Sequence, residues 1–170
     1  MDIFVEQIVK KKFGAKDYAI TFLTIFVGLL ILFLCVAFFP AGLFIALVGV
    51  CFGAYFLITS RNLEFEYSVT NGDLTIDKII NRRKRKRVIS LDLHSVEEMG
   101  KYNAEAHKSK SYEKRYMVAQ TDDGQGSWFL CLRQPQTGSV LVVFDPEEKV
   151  LNAVKPFLPR QVSVSAFRGY

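Results

Sequence analysis

No charged side chain occurs between positions 18 and 60. That gap of roughly 43 residues is about twice the ~20 apolar residues that carry one helix across a bilayer. Other scarcities narrow the chemistry. The 170-residue chain has only 3 cysteines and 2 histidines. Cys35 and Cys51 fall inside the uncharged run and Cys131 in a strand pattern, with no C-x-x-C pair. A disulfide framework and a zinc site are therefore not expected, and the usage fits a reducing compartment. His94 and His107 lack ligand spacing and both read as surface residues. Neither a metal nor a cofactor is expected.

The uncharged run is interrupted by Phe39, Pro40, Ala41 and Gly42. One unbroken helix would be roughly 65 Å long, against a hydrocarbon core of ~30 Å. Proline also disfavours helix at the residue before it. The run therefore reads as a transmembrane hairpin, with spans at 18–39 and 42–59. Lys10, Lys11, Lys12 and Lys16 precede it, Arg61 follows it, and its loop is uncharged. Basic flanks stay cytoplasmic, so both termini are expected in the cytoplasm and the chain in the cell membrane as a multi-pass protein. A cleaved signal peptide is shorter and starts earlier. With no ionisable group inside either span, an ion path or proton relay is not expected, and the hairpin reads as an anchor. Gly49 and Gly53 form a small-x-x-x-small pair with two open readings: packing against the first span, or a dimer face.

Four segments follow: 1–17, the hairpin at 18–60, a cytoplasmic domain at 61–160 and a tail at 161–170. In the first segment Ile3, Phe4, Ile8 and Val9 lie near one helical face before the lysines. A short amphipathic helix on the membrane surface and a plain cytoplasmic tail are both compatible with that.

Beyond Ser60 the pattern changes to short strands and turns. Residues 63–69 (LEFEYSV) alternate apolar and polar, and Asn71-Gly72 then signals a hairpin into residues 74–80. Further strands are expected at 88–93, 95–100, 111–121, 127–133 and 140–144, with 82–87 as a link and 102–110 as a polar loop. Asp145, Pro146 and Glu148 resemble an N-cap, first-turn proline and capping glutamate. Val150, Leu151, Val154, Phe157 and Leu158 then recur at helical spacing until Pro156 and Pro159 end the helix. The expected fold is α+β: a two-helix hairpin, then a seven-stranded antiparallel barrel capped by a C-terminal helix.

This order resembles the pleckstrin-homology-like fold. It is more closely similar to bacterial PH-like domains that follow a two-span hairpin in membrane proteins of unknown function. The likeness rests on the hairpin at 66–76, the basic link at 82–87, the segment 91–97 (LDLHSVE) and the closing 143–146 (VFDP) with its helix. It implies a fold and no particular activity.

Charge is unevenly placed. Positions 77–87 hold seven basic residues and one acidic: Lys78, Arg82, Arg83, Lys84, Arg85, Lys86 and Arg87 against Asp77. The formal net charge of +5 is therefore a local patch. Arg82, Arg83, Lys84, Arg85, Lys86 and Arg87 are the candidate contacts to anionic phospholipid headgroups, worth ~1 kcal/mol each near the leaflet. The competing reading is a solvated hairpin that discourages edge pairing. Nucleic acid is not an expected partner, since no aromatic platform accompanies the run. The first hairpin loop, Asn71-Gly72-Asp73, is acidic, which argues against an inositol-phosphate pocket there. Asp122-Asp123 and Glu97-Glu98 are neighbours in sequence, and Ser127 and Ser139 lack a histidine–acid pair. The expectation is not an enzyme but a membrane-anchored binding or scaffolding module, whose partners are the bilayer and another membrane or cytoplasmic protein. Anionic-lipid sensing and an unrecognised membrane-bound enzyme are the alternatives.

Overall fold

The computed structural model describes residues 3–135 and 137–168. The chain divides into two units, a helical one at 13–63 and a β-rich one formed by the residues on either side of it.

In the helical unit, α1 (Ala15–Phe38) and α2 (Leu43–Thr59) are joined by a 3-10 turn, Pro40–Gly42. Both helices are long and apolar enough to cross a membrane, and nearly all of their apolar residues lie outside the protein's interior. Asp17, buried in the first turn of α1, accepts from the Gly14 amide at 3.1 Å and pairs with Arg61 beyond α2. A negative group at a helix N-terminus complements its dipole, so this one carboxylate both caps α1 and ties the feet of the two helices. The helices approach closely at Gly28, where an added Cβ would sit 2.9 Å from Val50 Cγ1.

The β-rich unit has two four-stranded sheets. Sheet A comprises β1 (Phe4–Lys10), β2 (Leu63–Thr70), β3 (Asp73–Ile80) and β4 (Lys84–Asp92), in that order. Sheet B comprises β5 (Val96–Lys101), β6 (Lys114–Val118), β7 (Trp128–Gln134) and β8 (Gly138–Phe144), ordered β5-β7-β8-β6. The single seven-stranded antiparallel barrel is thus corrected to two four-stranded sheets among the described residues. Moreover, β6 runs parallel to β8, a non-local pairing that local alternation does not encode.

The eighth strand is the N-terminal segment. β1 pairs antiparallel with β2, from Phe4 opposite Thr70 to Lys10 opposite Glu64. The surface helix is overturned because the segment buries alternate residues. Val5, Gln7 and Val9 face inward while Phe4 and Ile8 stay exposed. Gln7 hides that alternation in the sequence, being polar at a core position. Its amide is satisfied by donating to the Asp145 carbonyl at 2.9 Å and accepting from the Glu147 amide at 2.8 Å. The helical unit is consequently inserted between two paired strands of one sheet, and the β-rich unit takes in the first residues of the chain as well as those after 63.

Sheet A is a meander. Its β2–β3 turn uses Asn71 and Gly72 at positive φ, and a Cβ on Gly72 would lie 2.8 Å from the His94 ring. Its β3–β4 turn uses Asn81 and Arg82, both at positive φ, the geometry of a tight hairpin turn. The 82–87 link is therefore corrected. Only Arg82 and Arg83 belong to the turn, and Lys84 already begins β4.

One core joins the sheets: Phe65, Tyr67, Leu74, Ile76 and Leu91 from A meet Trp128, Leu130, Val142 and Phe144 from B. The Tyr67 hydroxyl donates to the Val118 carbonyl and accepts from the Asp145 amide, while its ring stands edge-on to Phe144. α4 (Glu148–Val154) begins after Glu147 rather than at Pro146. Asp145 does not cap it, and instead accepts from the Gln120 amide at 2.6 Å. A 3-10 turn, Lys155–Phe157, then leads to α5 (Arg160–Ala166). The 161–170 tail is thus corrected up to residue 168. Val162 is buried in the core and the Phe167 ring lies 5.5 Å from Trp128. Positions 169–170, like Met1, Asp2 and Gln136, lie outside the described residues.

Candidate functional site

Opposed residues of an antiparallel pair share a face, so the register sorts the basic run. Asp77 faces Arg87 and Ile79 faces Arg85 on the outer side of sheet A. Lys84 and Lys86 pair with Ile80 and Lys78 on the opposite side. The outer face also carries Glu64 and Glu66 of β2, both buried despite their charge. Arg82 Nε donates to Glu64 Oε1 at 3.0 Å, and Arg87 Nε to Asp77 Oδ1 at 3.1 Å. Arg85 Nη2 lies 2.7 Å from Glu66 Oε2, in ion-pair contact but without hydrogen-bond alignment. Burial pushes the Glu66 carboxyl above its ordinary range; Arg85 draws it down, while Glu6 and Asp77 push it up. Three arginines of the run are thus clamped by carboxylates of their own sheet. Among the described residues Arg83, Lys84 and Lys86 make no ion pair, and all three are exposed. What was read as one cationic patch is a carboxylate–guanidinium ladder on one side and two lysines on the other.

Sheet B covers its outer face with residues 102–113. The polar loop expected at 102–110 contains a short helix, α3 (Ala104–Lys108). His107, expected at the surface, is 3% exposed; His94 is exposed as expected. The His107 ring stacks on Tyr102, meets the Phe129 ring at 4.2 Å, and its Nδ1 lies 2.8 Å from the Tyr112 hydroxyl. Desolvation, helped by Lys110 and Arg115 and opposed by Glu98, holds its pKa below the usual 6.5. Cys131 beneath it is buried, and burial raises its thiol pKa, so it is packed rather than activated. No group of three or more potential metal ligands occurs among the described residues.

In the helical unit an added Cβ on Gly49 or Gly53 would meet no atom of the described residues within 4 Å. They line a groove of about 430 Å³ with Gly28, Val50, Leu23 and Val27. The close contact between the helices lies at Gly28, not at this pair.

Residues 1–164 match a family described as Bacterial PH-like domain (DUF6106). The chain belongs to this family. The match takes in the β1 segment and both helices, so the family unit includes the inserted hairpin. No curated protein and no solved structure matches the chain.

Within this family member the sequence pointed to Arg82–Arg87 as cations but missed Glu64, Glu66 and Asp77 as their counterions. The signal was present, since Glu64 and Glu66 occupy the polar positions of an alternating strand. Reading them as partners required the β2–β3–β4 order and the register of the bulge after Ile76.

Proposed function

We propose that this PH-like protein is a membrane-anchored binding module, whose hairpin crosses the bilayer and holds the β-rich unit at the cytoplasmic leaflet. The observation that carries this reading is the insertion of the hairpin between β1 and β2. The chain enters the hairpin from β1 through residues 11–14 and returns from it into β2 through residues 60–62, so the helices are joined to two neighbouring strands of one sheet.

The helices support the anchor. A core helix of a soluble protein is mostly buried, whereas Phe22, Phe38 and Ile45 are 73%, 83% and 78% exposed. Apolar surface on this scale needs a hydrophobic surrounding, and the Asp17–Arg61 pair puts the charges at the feet of the hairpin. With Cys35, Cys51 and Cys131 replaced by serine, single cysteines at Ala41 and Thr137 test the orientation. The first should react with an impermeant maleimide on intact cells, and the second only after permeabilisation. Reaction of the Thr137 site from outside would overturn the reading.

A further inference from the structure

The ladder on sheet A does not close its outer face completely. A cleft of about 440 Å³ remains, lined by Ile8, Glu64, Ile79, Arg82, Arg83 and Arg85. We propose that this cleft receives the phosphate of an anionic phospholipid headgroup, with Arg82, Arg83 and Arg85 as donors and Ile8 and Ile79 as the apolar wall beside its glycerol end. The inference rests on the membrane-anchored reading and names its ligand class.

The donors are held but not consumed. Glu64 takes the Nε–H of Arg82, and among the described residues no acceptor takes the terminal nitrogens of that guanidinium. Arg85 touches Glu66 without aligning an N–H on it, and no other acceptor takes its donors among the described residues. Arg83 sits in the turn and makes no ion pair among the described residues. A guanidinium fork matches two phosphate oxygens, and a buried carboxylate beneath it fixes the side chain in advance, lowering the ordering cost of binding. Arg82 and Arg85 nonetheless remain 76% and 57% exposed in their side chains. They are therefore both restrained and accessible.

The apolar wall selects a lipid over a free anion. Ile8 stands 59% exposed on β1, opposite Glu66, and Ile79 is beside Arg85 in the neighbouring register. Inorganic phosphate gains nothing from isoleucine, whereas a glycerophospholipid presents carbon next to its phosphate. Topology adds a further argument. In an antiparallel meander the end of β1, the start of β2, the end of β3 and the start of β4 lie at one end of the sheet. The chain leaves for the hairpin and returns from it at that end, which also carries Arg82 and Arg83.

The test uses the full-length chain in a neutral detergent, with bound lipid counted by native mass spectrometry. Dioleoylphosphatidylglycerol should give a saturable 1:1 adduct that dioleoylphosphatidylcholine does not give. The R82Q/R85Q double variant should weaken it about 10- to 100-fold, the scale of one or two charge-assisted hydrogen bonds. R83Q, which breaks no ion pair within the sheet and so spares the fold, should weaken it about tenfold by the same scale. K84Q/K86Q removes two charges from the other face and should change it less than about threefold if the site is local. Equal losses in R83Q and K84Q/K86Q would mean diffuse attraction and overturn the site. Equal adducts with the two lipids would overturn it as well. Displacement of the glycerolipid by millimolar inorganic phosphate would assign the cleft to a free anion instead. Binding in detergent does not depend on orientation, so failure here and failure of the cysteine labelling are read separately.

Discussion

Sheets A and B share one core, and each must also cover a second face. Sheet B covers it with apolar and aromatic side chains. Phe129, Cys131, Leu141 and Val143 form a small second core beneath Tyr102 and Tyr112, with His107 set between the rings. β8 is accordingly buried on both faces from Val140 to Phe144. Sheet A covers its second face with ion pairs, Arg82, Arg85 and Arg87 lying over Glu64, Glu66 and Asp77. The two solutions differ in what they yield. A dry aromatic cover adds stability for each area it buries, whereas ion pairs with one exposed partner add little, with a median of ~0–1 kcal/mol. The ladder on sheet A therefore holds guanidinium groups in position at little gain in stability. Sheet B's second face is a fastening, and sheet A's is an accessible surface.

The largest expected contrast comes from truncating each cover. Phe129→Ala removes a ring that is 6% exposed and in contact with His107, and should destabilise the β-rich unit by about 3–5 kcal/mol. Ile79→Ala on sheet A deletes an 8% exposed side chain, but one that borders an open cleft, and should cost about 2 kcal/mol or less, the low end for such a truncation. Denaturant unfolding of the detergent-solubilised chain, followed by the fluorescence of its single tryptophan, Trp128, measures both. Equal losses would break the distinction between the sheets.

A smaller effect separates the sheets by pH. His107 has its pKa lowered by burial, so below the unfolded value near 6.5 the unfolded chain binds more protons than the native one. Its contribution to stability is complete above about 6.5 and is lost as pH falls toward the lowered native value. The slope cannot exceed about 1.4 kcal/mol per pH unit for one group. Amide protection factors in residues 104–112, referenced to the intrinsic exchange rate at each pH, should fall between pH 6.5 and 5 while those of β2 and β3 hold. His107→Gln should flatten that response. An equal fall in sheet A would point to a global transition rather than to release of this cover.

Strand positions were legible in both sheets, with 95–100, 127–133 and 140–144 close to β5, β7 and β8, whereas the way each sheet covers its second face was not. Alternation in residues 63–69, the Asn71-Gly72 turn and the uncharged run at 18–60 are local signals, and each corresponds to an element at nearly those bounds. β1 escaped because Gln7 breaks its apolar alternation and because its partner lies beyond the inserted hairpin. The parallel β6–β8 pair and the burial of His107 depend on contacts distant in sequence, which no window of neighbours contains. The cations of the candidate site were visible, and their division between two faces was not. That division depends on the bulge between Ile76 and Asp77, which sets Arg85 and Arg87 on the outer side.

The smallest effect should come from Glu66→Gln. Glu66 is buried, and its pKa is raised above the ordinary 4.5 chiefly by desolvation. The native state therefore keeps this proton to higher pH than the unfolded chain does. Its contribution is full below about 4.5 and declines as pH rises through the raised native value, opposite in sign to that of His107. At neutral pH the carboxylate is held at a cost that Arg85 only partly offsets. Glutamine keeps the shape and removes that cost, leaving Arg85 to be solvated at the surface. The variant should therefore stay within about 1 kcal/mol of the parent at pH 7, and the decline on the alkaline side of 4.5 should shrink. A loss of several kcal/mol would instead make the Glu66–Arg85 pair a structural strut. Sheet A would then be fastened on its second face as firmly as sheet B, and its arginines would have no claim to be an accessible surface.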